Sequence, residues 1–202
     1  MKIYFIRHAE AQHNVDYRLY GEDAYSFPHN KFSLLTTDGI LSAIDLSGSE
    51  IAVDLVITSS LPRTLLTTQI VFGVNNIPII VSDLVRETNF HHRCNERRTI
   101  SEIRMCYPKF NVEYLVGEED TVFHSGADNI LGRCQALNSW IFNLDKQGYK
   151  SIAIVTHQTF LDKYLEHCQL DKVNLDNCGV WVCDSTKVIK DGLLSLSTTL
   201  SR

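Results

Sequence analysis

The chain has 202 residues, 44% of them hydrophobic and 21% charged, with a formal net charge of −5. That length suits one hydrophobic core and argues for a single domain over 1–202. The acidic balance speaks against a dominant basic face, so nucleic acid is not an expected partner, and no apolar run reaches the length of a membrane span, so no membrane partner is expected.

The first apolar run, 1–6, meets Arg7 and His8 at once, with no cleavage-like region behind it, so the expected location is cytoplasmic. The six cysteines form no C-x-x-C pair, which leaves a zinc ribbon or a thioredoxin-like motif unsupported and makes reduced thiols the expectation.

In chain order, residues 2–6 read as a short buried strand. Residues 15–35 follow, rich in aromatic and polar groups and without a clear period. Residues 37–46 suggest a helix with Ile40, Leu41, Ala43 and Ile44 on one side. Residues 53–58 form a second strand, and a helix over 61–72 opens with Ser59 and Ser60 as caps and Pro62 in its first turn. A third strand covers 77–81. The stretch 88–125 is again long and aperiodic, with a basic cluster near its start. A helix over 127–145, a strand over 151–155, a helix over 159–168 and a strand over 179–183 complete the pattern, with 184–202 a peripheral tail or final strand. Continuous Ile/Val-rich runs suit a sheet buried on both faces. Strands alternating with helices predict a three-layer α/β/α sandwich with a mostly parallel central sheet. The stretches 15–35 and 88–125 are expected to be lid or cap segments.

The polar residues at the strand ends carry the chemistry. Four strand exits deliver His8, Arg63, Glu87 and His157 toward one edge of the sheet, where open parallel sheets bind ligands. Arginine forks match phosphate oxygens. A histidine with an unprotonated nitrogen can attack phosphorus. A second, cationic histidine can bind the transferring group, and a carboxyl can protonate the leaving alcohol and then take a proton from water.

These residues carry a resemblance. Arg7-His8-Ala9-Glu10 with Asn14, Leu35-Thr36-Thr37-Asp38-Gly39, Ser59 to Arg63 with Thr67 and Thr68, Glu87, and Val155-Thr156-His157 occur in the order found in the histidine phosphatase (phosphoglycerate mutase-like) superfamily. The chain resembles that superfamily from residue 3 to about 161, leaving a one-residue choice between Ser59 and Ser60 in the alignment. The resemblance implies a phosphoglycerate mutase-like fold. It implies that His8 forms a phosphohistidine, that Arg7, Arg63, His157 and Asn14 bind phosphate, and that Glu87 is the acid and then the base. It implies no metal and no other cofactor, with a small phosphorylated compound as the substrate. A backbone carbonyl is expected to hold the other ring nitrogen of His8.

Three departures bear on the outcome. Ala9 stands where the family usually has glycine, which is harmless unless the position needs a positive φ. Gln158-Thr159 replaces a small pair at a helix start where backbone N–H groups can face phosphate. After Glu87 the chain lacks the R-x-Y-G-like segment of the cofactor-dependent mutases and reads Thr88 to Arg98, similar to a phosphatase branch with C-[DN]-x-R-R. The expected enzyme is therefore a histidine acid phosphatase-type phosphoric monoester hydrolase. The alternatives are a phosphoglycerate mutase and a non-catalytic phosphate- or partner-binding module. Adjacent His91 and His92 point to opposite faces of an extended chain, which suits one metal ion poorly. Arg93, Arg97 and Arg98 are either a solvated charge cluster or readers of a second anionic group.

Overall fold

The computed structural model describes residues 1–88, 91–126 and 128–189. Asn89 and Phe90 of the segment after Glu87, the expected helix start at Ala127, and the tail from 190 onward lie outside the described residues. Five strands, β1 (Lys2–Arg7), β2 (Leu55–Thr58), β3 (Ile79–Val81), β4 (Ser151–Thr156) and β5 (Val180–Asp184), form one sheet in the order β3-β2-β4-β1-β5. All pairings are parallel except β1 with β5. Eight α-helices lie among the described residues: α1 (Gln12–Tyr20), α2 (Thr37–Ser47), α3 (Pro62–Phe72), α4 (Ile100–Cys106), α5 (Thr121–Ser125), α6 (Ile130–Lys146), α7 (Gln158–His167) and α8 (Ser185–Val188).

Side chains alternate across the sheet because successive residues of a strand point to opposite faces. Ile3, Phe5, Leu55, Ile57, Ile152 and Ile154 meet Leu137 and Ile141 of α6 and Phe160, Leu161 and Tyr164 of α7. On the other face Ile6, Val56, Ala153 and Val155 meet Ala43 of α2 and Leu65, Val71 and Phe72 of α3. The three layers are those expected of the alternating pattern. The six cysteines are unpaired, and Cys94, Cys134, Cys168 and Cys183 are buried.

Several local expectations fail for physical reasons. The face of α2 carrying Ile40, Leu41 and Ile44 is not buried: these residues are 37%, 54% and 50% exposed, and Ala43 with Gly39 makes the contact instead. Gly39 lets α2 lie against the loop after β1, since a Cβ there would sit 2.1 Å from the Glu10 carbonyl oxygen. Thr36 completes that docking. Its hydroxyl accepts from Gly39 N–H at 3.0 Å and donates to Glu10 Oε1 at 2.8 Å, and its N–H donates to the Glu10 carbonyl. Ser59 and Ser60 do not cap α3, whose N-cap is Leu61 with no side-chain cap bond.

Both long irregular stretches contain regular structure. The first holds part of α1 and two 3-10 turns, Gly21–Ser26 and Pro28–Asn30. Asp16, 5% exposed, accepts from Gln12 and Asn30 and pairs with His29, so polar contacts rather than an apolar stripe fix this segment. The second holds a 3-10 turn at Arg93–Asn95, then α4 with its Thr99–Glu102 capping box, and α5. The two stretches meet. Tyr25 stacks on His92 with centroids 4.0 Å apart, Lys31 pairs with Glu96 at 3.1 Å, and Arg98 covers the Phe32 ring at 4.6 Å.

Candidate active site

The register of the sheet assembles the site. Arg7 of β1 lies beside Thr156 of β4, and Thr58 of β2 beside Val155, so three parallel strands end level. The ladder continues one residue further: His8 N–H donates to Thr156 O and Ser59 N–H to Val155 O. His8, Ser59 and His157 thus leave the sheet together. β3 hands over to a 3-10 turn at Asp83–Val85 that ends at Arg86 and Glu87, and the Thr156 hydroxyl ties Val85 O at 2.6 Å.

His8 is 3% exposed. Its Nδ1 lies 2.7 Å from the carbonyl oxygen of Ala9, an acceptor only, so Nδ1 carries the hydrogen and Nε2 the lone pair. Arg63 donates from Nε toward that lone pair at 3.3 Å. Burial, then the Arg63 guanidinium, push the His8 pKa well below the ordinary 6.5. Ala9 N–H donates to the Thr67 hydroxyl, which donates to Arg63 O, so the threonine of α3 locks the two loops together. Ala9 is fully buried and is not among the residues with positive φ, so alanine fits where glycine is usual.

Arg63 is 1% exposed, with Nη1 on Cys94 O at 2.5 Å and Nη2 on Asn95 Oδ1 at 2.8 Å. Arg7 is half-buried. Its Nη1 donates to Leu175 O at 2.7 Å, and its buried Nε has no partner. Glu87 is half-buried, and its Oε1 accepts from Thr88 N–H at 2.8 Å and Phe160 N–H at 3.0 Å. Burial raises its pKa above the ordinary 4.5. The Phe160 N–H in the first turn of α7 therefore serves this carboxylate. Gln158 lines the cavity with its side chain tied to Asp162, Val173 O and Leu175 N–H.

His157 is fully buried beside His8, ring centroids 5.1 Å apart. Its Nε2 meets the Ser59 hydroxyl at 2.8 Å and its Nδ1 has no partner. Ser59 is thus the serine of the aligned pair that touches the histidine, while Ser60 bonds Asp83. Burial, then Arg63 and His8, push the His157 pKa well below 6.5, which runs against the cationic state expected from the sequence. Asn14 uses its Oδ1 on Ala11 N–H and one Nδ2 hydrogen on His13 Nε2 at 3.2 Å, leaving one N–H uncommitted.

Arg7, His8, Asn14, Arg63 and Glu87 share one cavity of about 190 Å3. His157 stands behind His8 and is not one of the described residues on its wall. The cavity also recruits residues that strand-end reasoning missed: His13 from the start of α1, Tyr17, Glu22 and Tyr25 from the first irregular stretch, and Thr88, His92, Cys94 and Asn95 from the second. Their signal in the sequence was only that both stretches lacked a period. Arg97 is no reader of a second anion. It is 2% exposed and donates to the carbonyls of Val116, Gly117, Glu118 and Glu119. Arg98 pairs with Glu102 at 3.5 Å, and neither it nor Arg93 lines the cavity.

Chemically, an unprotonated imidazole nitrogen, two guanidinium groups and a carboxyl with a raised pKa share one small cleft. Such a set can accept an anionic phosphoryl group, attack it and move one proton.

A curated relative, phosphoglycerate mutase-like protein 1 of Arabidopsis thaliana, is 27% identical over 217 residues, covering 88% of this chain and 76% of that protein. The fold is similar to that of the α-ribazole phosphatase of Shigella flexneri (TM-score 0.60, 19% identity, 94% of this chain and 93% of that one). It is also similar to that of a phosphoserine phosphatase mutant of Entamoeba histolytica in complex with phosphoserine (TM-score 0.56, 22% identity, 90% and 89%). The family model of the histidine phosphatase superfamily, branch 1, matches residues 3–189, and the chain belongs to that superfamily.

Proposed function

We propose that the protein is a metal-independent phosphatase that hydrolyses a small phosphate monoester through a phosphohistidine on His8. The observation that carries this reading is the tautomer of His8: the Ala9 carbonyl holds Nδ1–H, so the lone pair sits on Nε2 beside Arg63. In the first half-reaction Nε2 attacks phosphorus in line, an N–P bond forms and the P–O bond to the alcohol breaks. Glu87 gives its proton to the leaving oxygen. In the second, the Glu87 carboxylate takes a proton from water, the water oxygen attacks phosphorus, and the N–P bond breaks to release phosphate. Arg7, Arg63 and the last N–H of Asn14 neutralise or bind the phosphoryl oxygens. His157 supplies a neutral Nδ1–H from beside His8.

The wall of the cavity favours hydrolysis over mutase chemistry. A bisphosphate needs cations at two places. Arg7 and Arg63 are the only arginines among the described lining residues, which include no lysine, and Glu22 adds a negative charge. His13 and His92 lie there too, but burial lowers both pKa values.

The test is release of inorganic phosphate from p-nitrophenyl phosphate and a panel of metabolite monoesters, with excess chelator. Turnover that survives the chelator supports the reading. Conversion of 3-phosphoglycerate to its isomer without free phosphate would favour the mutase.

A further inference from the structure

We infer that Asn95 is a positioning residue, which sets the orientation of Arg63 in the phosphate site and is itself held by a buried Arg86–Asp120 pair. This rests on the reading of Arg63 as a phosphate ligand.

Arg63 has five N–H donors in one plane. Two of them are committed to adjacent residues of the second irregular stretch, Cys94 O and Asn95 Oδ1. A guanidinium held at both terminal nitrogens cannot rotate about its own axis, so its Nε–H stays directed at His8 Nε2. Asn95 is 2% exposed. Its Nδ2 donates to Thr88 O at 2.7 Å, directly after Glu87. One amide therefore joins the phosphate arginine to the loop of the acid.

The backbone behind Asn95 is fixed just as firmly. Arg86, fully buried, donates from Nη2 to the Asn95 carbonyl and grips Asp120 with both terminal nitrogens, at 2.9 and 2.6 Å. Asp120 also accepts from Arg97 N–H at 2.8 Å, and Arg97 clamps the carbonyls of 116–119. The segment Cys94-Asn95-Glu96-Arg97-Arg98 thus closes a path from Asp120 through Arg86 to Asn95 and Arg63. Buried hydrogen-bonded networks of this kind hold a functional group in place during the reaction.

Asn95→Asp and Asn95→Ala separate the two bonds of the amide. Aspartate keeps an oxygen for Arg63 and loses the donor to Thr88 O, whereas alanine loses both. The readout is the affinity for orthovanadate, by calorimetry on the full chain, for wild type, N95A, N95D, R63A and the double variant R63A/N95A. Thermal unfolding of each establishes that it is folded. N95A should weaken binding about tenfold, as expected for one hydrogen bond to a charged group. N95D should stay within about threefold of wild type, and N95A should add nothing in the R63A background. N95D failing like N95A, or losses that multiply in the double variant, would overturn the inference. So would N95A binding as wild type while R63A does not, which leaves Arg63 as a ligand. R63A retaining wild-type affinity would instead remove the phosphate-ligand reading of Arg63, and this inference with it.

Discussion

The hydroxyl of Ser59 stands 2.8 Å from Nε2 of His157, across the seam between β2 and β4. The Leu61 N–H approaches the same oxygen at 3.4 Å, and a hydroxyl so placed can donate to the imidazole or accept from it. Where it donates, Nε2 holds the lone pair and the unpartnered Nδ1 carries the hydrogen. A neutral histidine thereby becomes a hydrogen-bond donor without being charged.

Ser59→Ala removes that control. The imidazole packed against His8 can then place its hydrogen on either nitrogen, which disturbs the proposed phosphate site. The expected result is a fall in kcat/KM of about tenfold, the scale of one hydrogen bond to a charged group, with a melting temperature within a few degrees of wild type. Steady-state kinetics of S59A beside wild type checks this. Unchanged kinetics would mean that another group sets the tautomer.

The rate should have an unusual acid limb. His8 must be unprotonated to attack, and burial, reinforced by Arg63, holds its pKa well below 6.5. Acid inhibition therefore begins well below the usual histidine range. Glu87 must be protonated to serve the leaving oxygen, and burial raises its pKa above 4.5. The rate should fall as pH rises through that raised value. A kcat/KM profile with excess chelator measures both limbs. In Glu87→Gln the alkaline fall should vanish, along with most of the rate on esters of poor leaving groups.

Stability should show the same buried histidines. His8, His13 and His157 all have pKa values driven well below 6.5, first by burial. The unfolded chain takes up these protons near pH 6.5 while the folded chain does not. Stability is therefore full above that pH and is lost as pH falls below it, by up to about 1.4 kcal/mol per pH unit for each histidine. Urea unfolding from pH 7.5 to 5 checks the slope, and a flat profile would contradict the neutral assignments.

The four strand exits were legible because a parallel sheet sends its strand ends to one edge, and His8, Glu87 and Arg63 do meet there on one cavity wall. The Leu35–Gly39 segment was legible as a motif, and its reason appears only in three dimensions, where Gly39 touches the Glu10 backbone. The apolar stripe of α2 misled, since Ile40, Leu41 and Ile44 satisfy a helical period yet stay exposed. Period reports amphipathicity, not which face finds a partner. α1 was invisible for the converse reason: its buried residues are His13 and Asp16, which carry no hydrophobic signal. The roles of Asn95, Arg86 and Arg97 depend on partners 9 to 34 positions away, which no local pattern encodes.

The close approach at Gly39 makes a structural prediction. Gly39→Ala forces a methyl group against the Glu10 carbonyl at 2.1 Å, and backbone on both sides must move. Overpacking of this kind costs about 1–3 kcal/mol. Urea unfolding of G39A should show that loss, and because Glu10 follows the His8 loop, kcat should drop as well. Wild-type stability would mean that α2 shifts freely on the sheet.

The central claim is the bond between phosphorus and His8 Nε2. The most direct measurement is rapid acid-free quench of the enzyme with a 32P-labelled monoester or 2,3-bisphosphoglycerate, followed by mass mapping of the labelled peptide. The expected result is an acid-labile, base-stable phosphate on His8, formed within a single turnover and absent from His8→Ala. Turnover without any label on His8, or equal labelling and turnover in His8→Ala, would contradict it.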